Sequence, residues 1–308
     1  MQSTLSGVIV PLATPFTANG DEIDFPAYRR LIDGVIGSGV SAIIANAATS
    51  QFAALSEAER SRAAAAAIEH AAGRLPVLIG AGAASTREAI FWTRHAQSLG
   101  AVGVMIMPPF YGPTPADVAV LHYAAISDAC PLPIMIYNAP YASHVLLLPE
   151  HIEQIVAAAN IKWVKLTTGV IDHVTALRLS LGDRVGIYEG VDPLAFPSFC
   201  LGADGWVAGP GNMIPEICIE MWRRVQAGDL AAARRLQNRV YPLLAAMREK
   251  MAYGSVISEV CRMRGLPLGP VRLPGCELGR DHLKWVRDAA GALGLAGVPL
   301  GKLDAGKL

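Results

Sequence analysis

The chain has 308 residues, and its 26 Lys plus Arg balance 26 Asp plus Glu, giving a formal net charge of zero. That length suits one large α/β barrel with an appendage, or two ordinary domains. The neutral balance and the lack of any long Lys/Arg run exclude an electrostatic case for nucleic acid or an anionic membrane as partner, and leave a small neutral or anionic ligand as the expectation.

In chain order, the opening Met1-Gln-Ser-Thr-Leu-Ser6 lacks the basic segment and apolar core of a signal peptide. No apolar run approaches the ~18 residues that span a bilayer, so a cytoplasmic protein is expected. Short β-branched apolar runs then recur at Val8-Ile9-Val10, Ala42-Ile43-Ile44, Val77-Leu78-Ile79, Val104-Met105-Ile106, Ile134-Met135-Ile136, Trp163-Val164-Lys165, Val185-Gly186-Ile187 and Trp206-Val207-Ala208. Each is followed by an amphipathic stretch of helical length. Runs apolar on both faces belong to a buried parallel sheet, and strict strand–helix alternation repeated in this way closes most simply as a (β/α)₈ TIM barrel.

Helix starts are legible at Ser56 with Glu59 (a capping box), at Ser85 with Glu88, and at Pro115 leading into the stretch to Ala129. Ala-rich stretches such as Ala63 to Ala67 favour helix and bury well. The eighth unit is expected to end near Ala227-Gly228-Asp229. Beyond it, Leu230 to Met251, Val256 to Arg264 and Asp281 to Leu293 have helical periodicity with Gly/Pro punctuation. Residues 1–228 are therefore read as the barrel carrying the active site, and 229–308 as a C-terminal helical appendage of the same structural unit, with Gly301 to Leu308 frayed. The five cysteines (Cys130, Cys200, Cys218, Cys261, Cys276) are widely spaced, with no C-x-x-C pair, and read as reduced and mostly structural.

Reactive side chains of such a barrel belong at the C-terminal ends of strands. Lys165 ends the sixth run, where desolvation would lower its pKa toward a usable amine nucleophile; the competing reading is a lysine ion-paired with a barrel carboxylate. Lys162, at the other end of the strand, reads as an ordinary bottom-face lysine. Tyr137 ends the fifth run, where a phenol could pass protons to a carbonyl attached to Lys165, or could be a satisfied structural hydroxyl. The small-residue loop Asn46-Ala-Ala-Thr-Ser-Gln51 could hold a carboxylate on backbone N–H groups and the Thr49 hydroxyl. Gly209-Pro-Gly-Asn212 follows the eighth run, where many barrels bind phosphate, so a phosphate- or metal-using barrel stays open at this point.

Together these segments resemble the dihydrodipicolinate synthase / N-acetylneuraminate lyase family of class I pyruvate-type aldolases and dehydratases, from about Gly7 to Pro274. The likeness rests on Pro11-Leu-Ala-Thr-Pro-Phe16, Leu55-Ser-Glu-Ala-Glu-Arg60, Pro108-Pro-Phe-Tyr111, Tyr137-Asn-Ala-Pro140, Lys165 with Thr168-Gly169, Gly202-Ala-Asp-Gly205 leading to Asn212 and Pro215, and Val271-Arg-Leu-Pro274. It implies a cofactor-independent lyase in which Lys165 forms a Schiff base with a 2-oxo acid and Tyr137 relays protons. Tyr111 would reach into a neighbouring subunit's site in a homotetramer built as a dimer of dimers. The substrate-binding set it implies is Ala48, Thr49, Gly190, Asp192 and Val207, with no metal.

The sequence departs from that pattern at two places. The family's Gly-Thr-Thr-Gly-Glu loop here reads Ala47-Ala48-Thr49-Ser50-Gln51, so the hydroxyl that normally links the two tyrosines is missing at Ala48. The synthase of lysine-precursor formation carries an arginine two residues after the proline of Tyr-Asn-x-Pro, to hold its second substrate's carboxylate; here that position is Ala142. Loss of that guanidinium removes about 2 kcal/mol of charge-assisted binding and argues against the synthase. The Asp-Glu pair and hydroxyls of sialic acid lyases are reduced to Asp192, which argues against a polyol substrate. Trp206, Phe110, Tyr141 and His144 could make a less polar distal pocket. The expectation is thus a pyruvate-type aldolase acting with an aldehyde, and neither of those two enzymes. A 2-oxo-3-deoxy sugar acid dehydratase and a catalytically weak 2-oxo acid binding paralogue are the alternatives.

Overall fold

The computed structural model describes residues 5–112, 114–249 and 252–308. Met1–Thr4 and the Met251 end of the expected Leu230 to Met251 stretch lie outside the described residues. Each of the eight apolar runs is a strand: β1 Gly7–Pro11, β2 Ala42–Ala45, β3 Val77–Gly80, β4 Gly103–Ile106, β5 Ile134–Asn138, β6 Ile161–Leu166, β7 Gly186–Glu189 and β8 Gly205–Val207. They pair in sequence order as a closed parallel barrel, the (β/α)₈ fold. Strands β1 to β5 are buried along their whole length, which is why they read as continuous apolar runs without alternation. Lys162 is the exposed residue of β6, at the end opposite Lys165.

The helices that alternate with these strands are α1 Phe25–Gly37, α2 Glu57–Ala71, α3 Thr86–Ser98, α4 Ala116–Ala129, the single turn α5 Pro140–Ser143, α6 Pro149–Ala158, α7 His173–Leu181, α8 Ala195–Cys200 and α9 Pro215–Gln226. The capping box opens α2: Ser56 Oγ accepts from Glu59 N at 3.2 Å and Glu59 Oε2 accepts from Ser56 N at 2.9 Å. Ser85 caps α3 by accepting from Glu88 N. Beyond the barrel come α10 Leu230–Arg248, α11 Tyr253–Met263 and α12 Arg280–Ala292, within a residue or three of the expected periodic segments.

Two compact units make up the chain. One comprises Met1–Gly7 with Pro76–Val207, and the other Val8–Leu75 with Ala208–Leu308, so the C-terminal helices share a unit with β2 and most of β1. In this second unit Arg264, at the end of α11, is fully buried and forks onto Glu216 of α9 at 2.7 and 3.0 Å. Its remaining donors reach the carbonyls of Met213, Val298 and Pro299. Glu216 Oε1 also accepts from the Gly301 and Leu303 amides. The expectation of a frayed 301–308 segment is corrected by these bonds: backbone amides of the tail complete the hydrogen bonding of a buried carboxylate. Of the cysteines, Cys130, Cys218 and Cys261 are buried, and Cys200 and Cys276 are exposed; all are free thiols. Among the described residues, no helix is long and apolar enough to cross a membrane.

Candidate active site

Strand register brings two reactive side chains side by side in the first unit. Tyr137 of β5 is the direct partner of Lys165 on β6, and Lys165 in turn pairs with Tyr188 on β7. The Lys165 side chain is 6 % exposed, and its Nζ lies 4.0 Å from the centre of the Tyr137 ring. Burial lowers the Lys165 pKa from 10.5 to about 8, opposed by the negative charges of Asp192 and Glu189. An ammonium over a phenol face is a cation–π contact, but the loss of hydration outweighs it here. Tyr137 is 2 % exposed, and its phenol is held protonated well above the ordinary range, first by burial and next by the neighbouring Tyr141 oxygen. A phenol that stays protonated at neutral pH is a proton donor rather than a phenolate.

The Tyr137 hydroxyl is hydrogen-bonded to that of Tyr141 at 2.7 Å. Tyr141 stands on α5, whose turn follows the Tyr-Asn-Ala-Pro segment. Asn138 braces the segment by donating to Leu147 O at 2.7 Å and accepting from Leu147 N at 3.2 Å. Ser143 Oγ bonds the carbonyls of Ala139 and Val145. Tyr141 as a whole is 57 % exposed, yet its hydroxyl end is enclosed, and that enclosure lifts its phenol pKa while the bond to Tyr137 acts the other way.

Glu189 is the last residue of β7, in register with Leu166, and its charge acts on Lys165. One carboxylate oxygen accepts from the Gly190 and Val191 amides at 2.9 and 2.7 Å, and the other from Ser198 Oγ at 2.5 Å. Burial raises its pKa against those donors. Its oxygens are bonded to structure, so it acts on Lys165 through charge rather than as a base. Gly190 is demanded by space: a Cβ there would overlap Thr167 Oγ1 and lie 2.7 Å from Lys165 Cε and 3.0 Å from Leu166 O. Asp192 is buried, accepts from Trp206 Nε1 at 3.1 Å, and places a second negative charge near Lys165 and both phenols.

The loop after β2 belongs to the second unit. Ala48–Ser50 forms a 3₁₀ turn, Ser50 Oγ donates to Leu12 O at 2.6 Å, and Ala47 N donates to Ser50 Oγ. The Ser50 and Gln51 amides close the turn onto Ala47 and Ala48 carbonyls. The Ala48 and Thr49 amides therefore stand at its start, where no partner exists within the turn. Gln51 Oε1 accepts from Arg272 N, and the Arg272 guanidinium reaches Glu59, Gly20 O, Ala54 O and Asp21 O over the Phe16 ring. The Val271-Arg-Leu-Pro274 motif is thereby the brace of this loop.

Of the residues expected from sequence, Lys165, Tyr137, Gly190 and Asp192 cluster in the first unit, and Val207 is buried at the end of β8. Tyr111 is 92 % exposed. Ala48 is exposed and Thr49 half-buried in the second unit. Trp206 is wholly buried against Asp192, and Tyr141 points its hydroxyl at Tyr137, so neither lines a separate apolar pocket. Sequence reasoning passed over Glu189 and Ser198; a carboxylate ending the apolar strand next to the lysine's own was the available signal.

One buried amine against a buried phenol, on adjacent strand ends of a (β/α)₈ barrel, defines a carbon–carbon lyase of the aldolase type. The chain belongs to the dihydrodipicolinate synthetase family, whose model matches residues 4–293. Members of that family join pyruvate to an aldehyde. The chain is 37 % identical over 270 residues to the 4-hydroxy-tetrahydrodipicolinate synthase of Thermomicrobium roseum, covering 88 % of each chain. It is 38 % identical over 234 residues to the enzyme of the same name from Sorangium cellulosum, covering 76 % of this chain and 78 % of that one. The crystal structure of dihydrodipicolinate synthase from Aquifex aeolicus superposes with a TM-score of 0.90 at 27 % identity, over 94 % of this chain and 99 % of that one.

These relatives overturn the expectation, drawn from Ala142, that the chain is not the lysine-pathway synthase. The physical reason is that a carboxylate can be held by amides and hydroxyls as well as by a guanidinium, so one missing donor weakens binding without deciding the substrate. The dehydratase and non-catalytic alternatives belong to the same expectation and are set aside with it.

Proposed function

We propose that this chain is a 4-hydroxy-tetrahydrodipicolinate synthase working through a Schiff base on Lys165. Cutting the ring C=N bond and the bond to the carbinol carbon of that product leaves pyruvate and the semialdehyde of aspartate, which combine with loss of one water. The reading is carried by the buried Lys165 amine, whose pKa of about 8 leaves a usable free fraction near neutrality, set against the Tyr137 phenol.

In the proposed sequence the Lys165 amine attacks the pyruvate ketone, and Tyr137 gives the proton that lets the former carbonyl oxygen leave as water. Loss of a methyl proton turns the iminium into an enamine, whose carbon adds to the aldehyde. The substrate's own amine then displaces Lys165 to close the ring. Ala48 and Thr49 amides with the Thr49 hydroxyl are assigned to the pyruvate carboxylate, and Asp192 and Val207 to the side of the second substrate. Tyr111 is assigned to a neighbouring subunit's site in a homotetramer of tight dimers.

Borohydride reduction in the presence of pyruvate, followed by mass spectrometry, tests the assignment: a three-carbon adduct is expected on Lys165. Pyruvate and aspartate semialdehyde together should yield the cyclic product. An adduct on Lys162, or trapping without any cyclic product, would refute the reading.

A further inference from the structure

The Tyr137–Tyr141 hydrogen bond raises a question that the Schiff-base chemistry alone does not answer, namely how the buried Tyr137 phenol recovers its proton. Tyr137 must give up a proton when the carbinolamine oxygen leaves, and it is 2 % exposed. The position that usually supplies a linking hydroxyl is Ala48, which carries none. Tyr141 fits the task on three counts. Its hydroxyl is 2.7 Å from that of Tyr137. The residue as a whole is 57 % exposed while its hydroxyl end is enclosed against Tyr137, so it stands between the buried phenol and solvent. Its helical turn is held by the Asn138 and Ser143 bonds, which fix the hydroxyl where it is needed.

Resting on the Schiff-base reading above, we infer that Tyr141 is the positioning residue that reprotonates Tyr137 and connects it to bulk water within one chain. The amine nitrogen bonds to the ketone carbon, and the carbonyl electron pair moves to oxygen. Protons delivered through Tyr137 convert that oxygen to water, which departs as the nitrogen lone pair forms the C=N bond. Tyr137 takes a proton from Tyr141, and Tyr141 takes one from solvent. The net consumption is one amine, one ketone and one proton, giving one iminium and one water. The Ala48 departure is then tolerated because the relay has moved from the loop after β2 to the turn after β5, and Tyr111 is not required for it.

The test compares wild type with Tyr141→Phe, Tyr137→Phe, the double variant and Tyr111→Phe, all as full-length protein. The rate of borohydride-trappable imine formation with pyruvate is measured in H₂O and D₂O, and kcat and KM are measured separately. Tyr141→Phe keeps the ring and removes only the hydroxyl, and its thermal midpoint reports whether the turn survives. A fall of about 10–10² fold in imine formation is expected with the pyruvate KM within about threefold, together with an altered solvent isotope effect. Because the two phenols act in series, the double variant should be no slower than Tyr137→Phe. Imine formation in Tyr141→Phe within twofold of wild type, or a larger loss in Tyr111→Phe than in Tyr141→Phe, overturns the relay while leaving Lys165 in place. Absence of the Lys165 adduct in wild type overturns both readings.

Discussion

Lys165 shows how a single side chain trades stability for reactivity. Its fall from 10.5 to about 8 corresponds, at about 1.4 kcal/mol per tenfold in proton affinity, to about 3 kcal/mol held against folding at pH 7. The unfolded chain keeps that proton up to about pH 10.5 and the folded chain releases it near 8, so stability from this group rises with pH between those values. Lys165→Met, which keeps the volume without the charge, should therefore stabilise the protein by up to about 3 kcal/mol at pH 7. The gain should shrink above pH 8 and be gone near 10.5. Denaturant midpoints of both proteins at the two pH values decide it, and a pH-independent difference would count against a desolvated amine. Gly190 is the complementary case. Because a Cβ there meets Lys165 Cε at 2.7 Å, Gly190→Ala should slow adduct formation by about 10²-fold or more and destabilise by about 1–3 kcal/mol, read by trapping kinetics and urea unfolding. Lys165 and Tyr137 were legible because they end apolar strands. Gly190's role was not, since the collision it avoids involves side chains on another strand and appears only once β6 and β7 are in register.

At the scale of elements, capping residues and apolar runs located the strands and most helices, because those signals are local. The turn of α5 was missed: at four residues it has no periodicity, and it is specified by Asn138 and Ser143 bonding across the chain. That omission is why Tyr141 was read as part of an apolar pocket. The tail was misread for the opposite reason, since its Gly-rich composition resembles a loose end while its amides serve Glu216. Here the Arg264–Glu216 pair invites a direct measurement. Arg264→Leu strips a buried carboxylate of its counter-charge and should cost about 3–5 kcal/mol, far more than loss of an exposed pair such as Lys284–Asp288 in Lys284→Ala. Equal losses in chemical unfolding would show that the buried carboxylate finds another partner.

For the whole molecule, (β/α)₈ topology was readable because eight buried parallel strands leave a repeated pattern that one chain displays in full. Assembly was not readable in the same way, because an interface residue such as Tyr111 looks like any loop aromatic. If Tyr111 serves a neighbouring site, light scattering at micromolar concentration should report four chains, and Tyr111→Ala should disturb activity at unchanged Tm of the isolated subunit. A fully active monomer would remove that role. The substrate was misjudged for a related reason. Ala142 is one position, whereas recognition of a carboxylate is distributed over several donors that no short motif displays.

The buried amine also has a consequence for chemical selectivity. At neutral pH a group with a pKa of about 8 is unprotonated some 300-fold more often than an ordinary lysine at 10.5. The Lys165 side chain is only 6 % exposed, which disfavours bulky reagents. A compact carbonyl compound or activated ester at low concentration should thus modify Lys165 before any solvent-facing lysine, which makes this position a natural handle for site-selective covalent probes without any engineered residue.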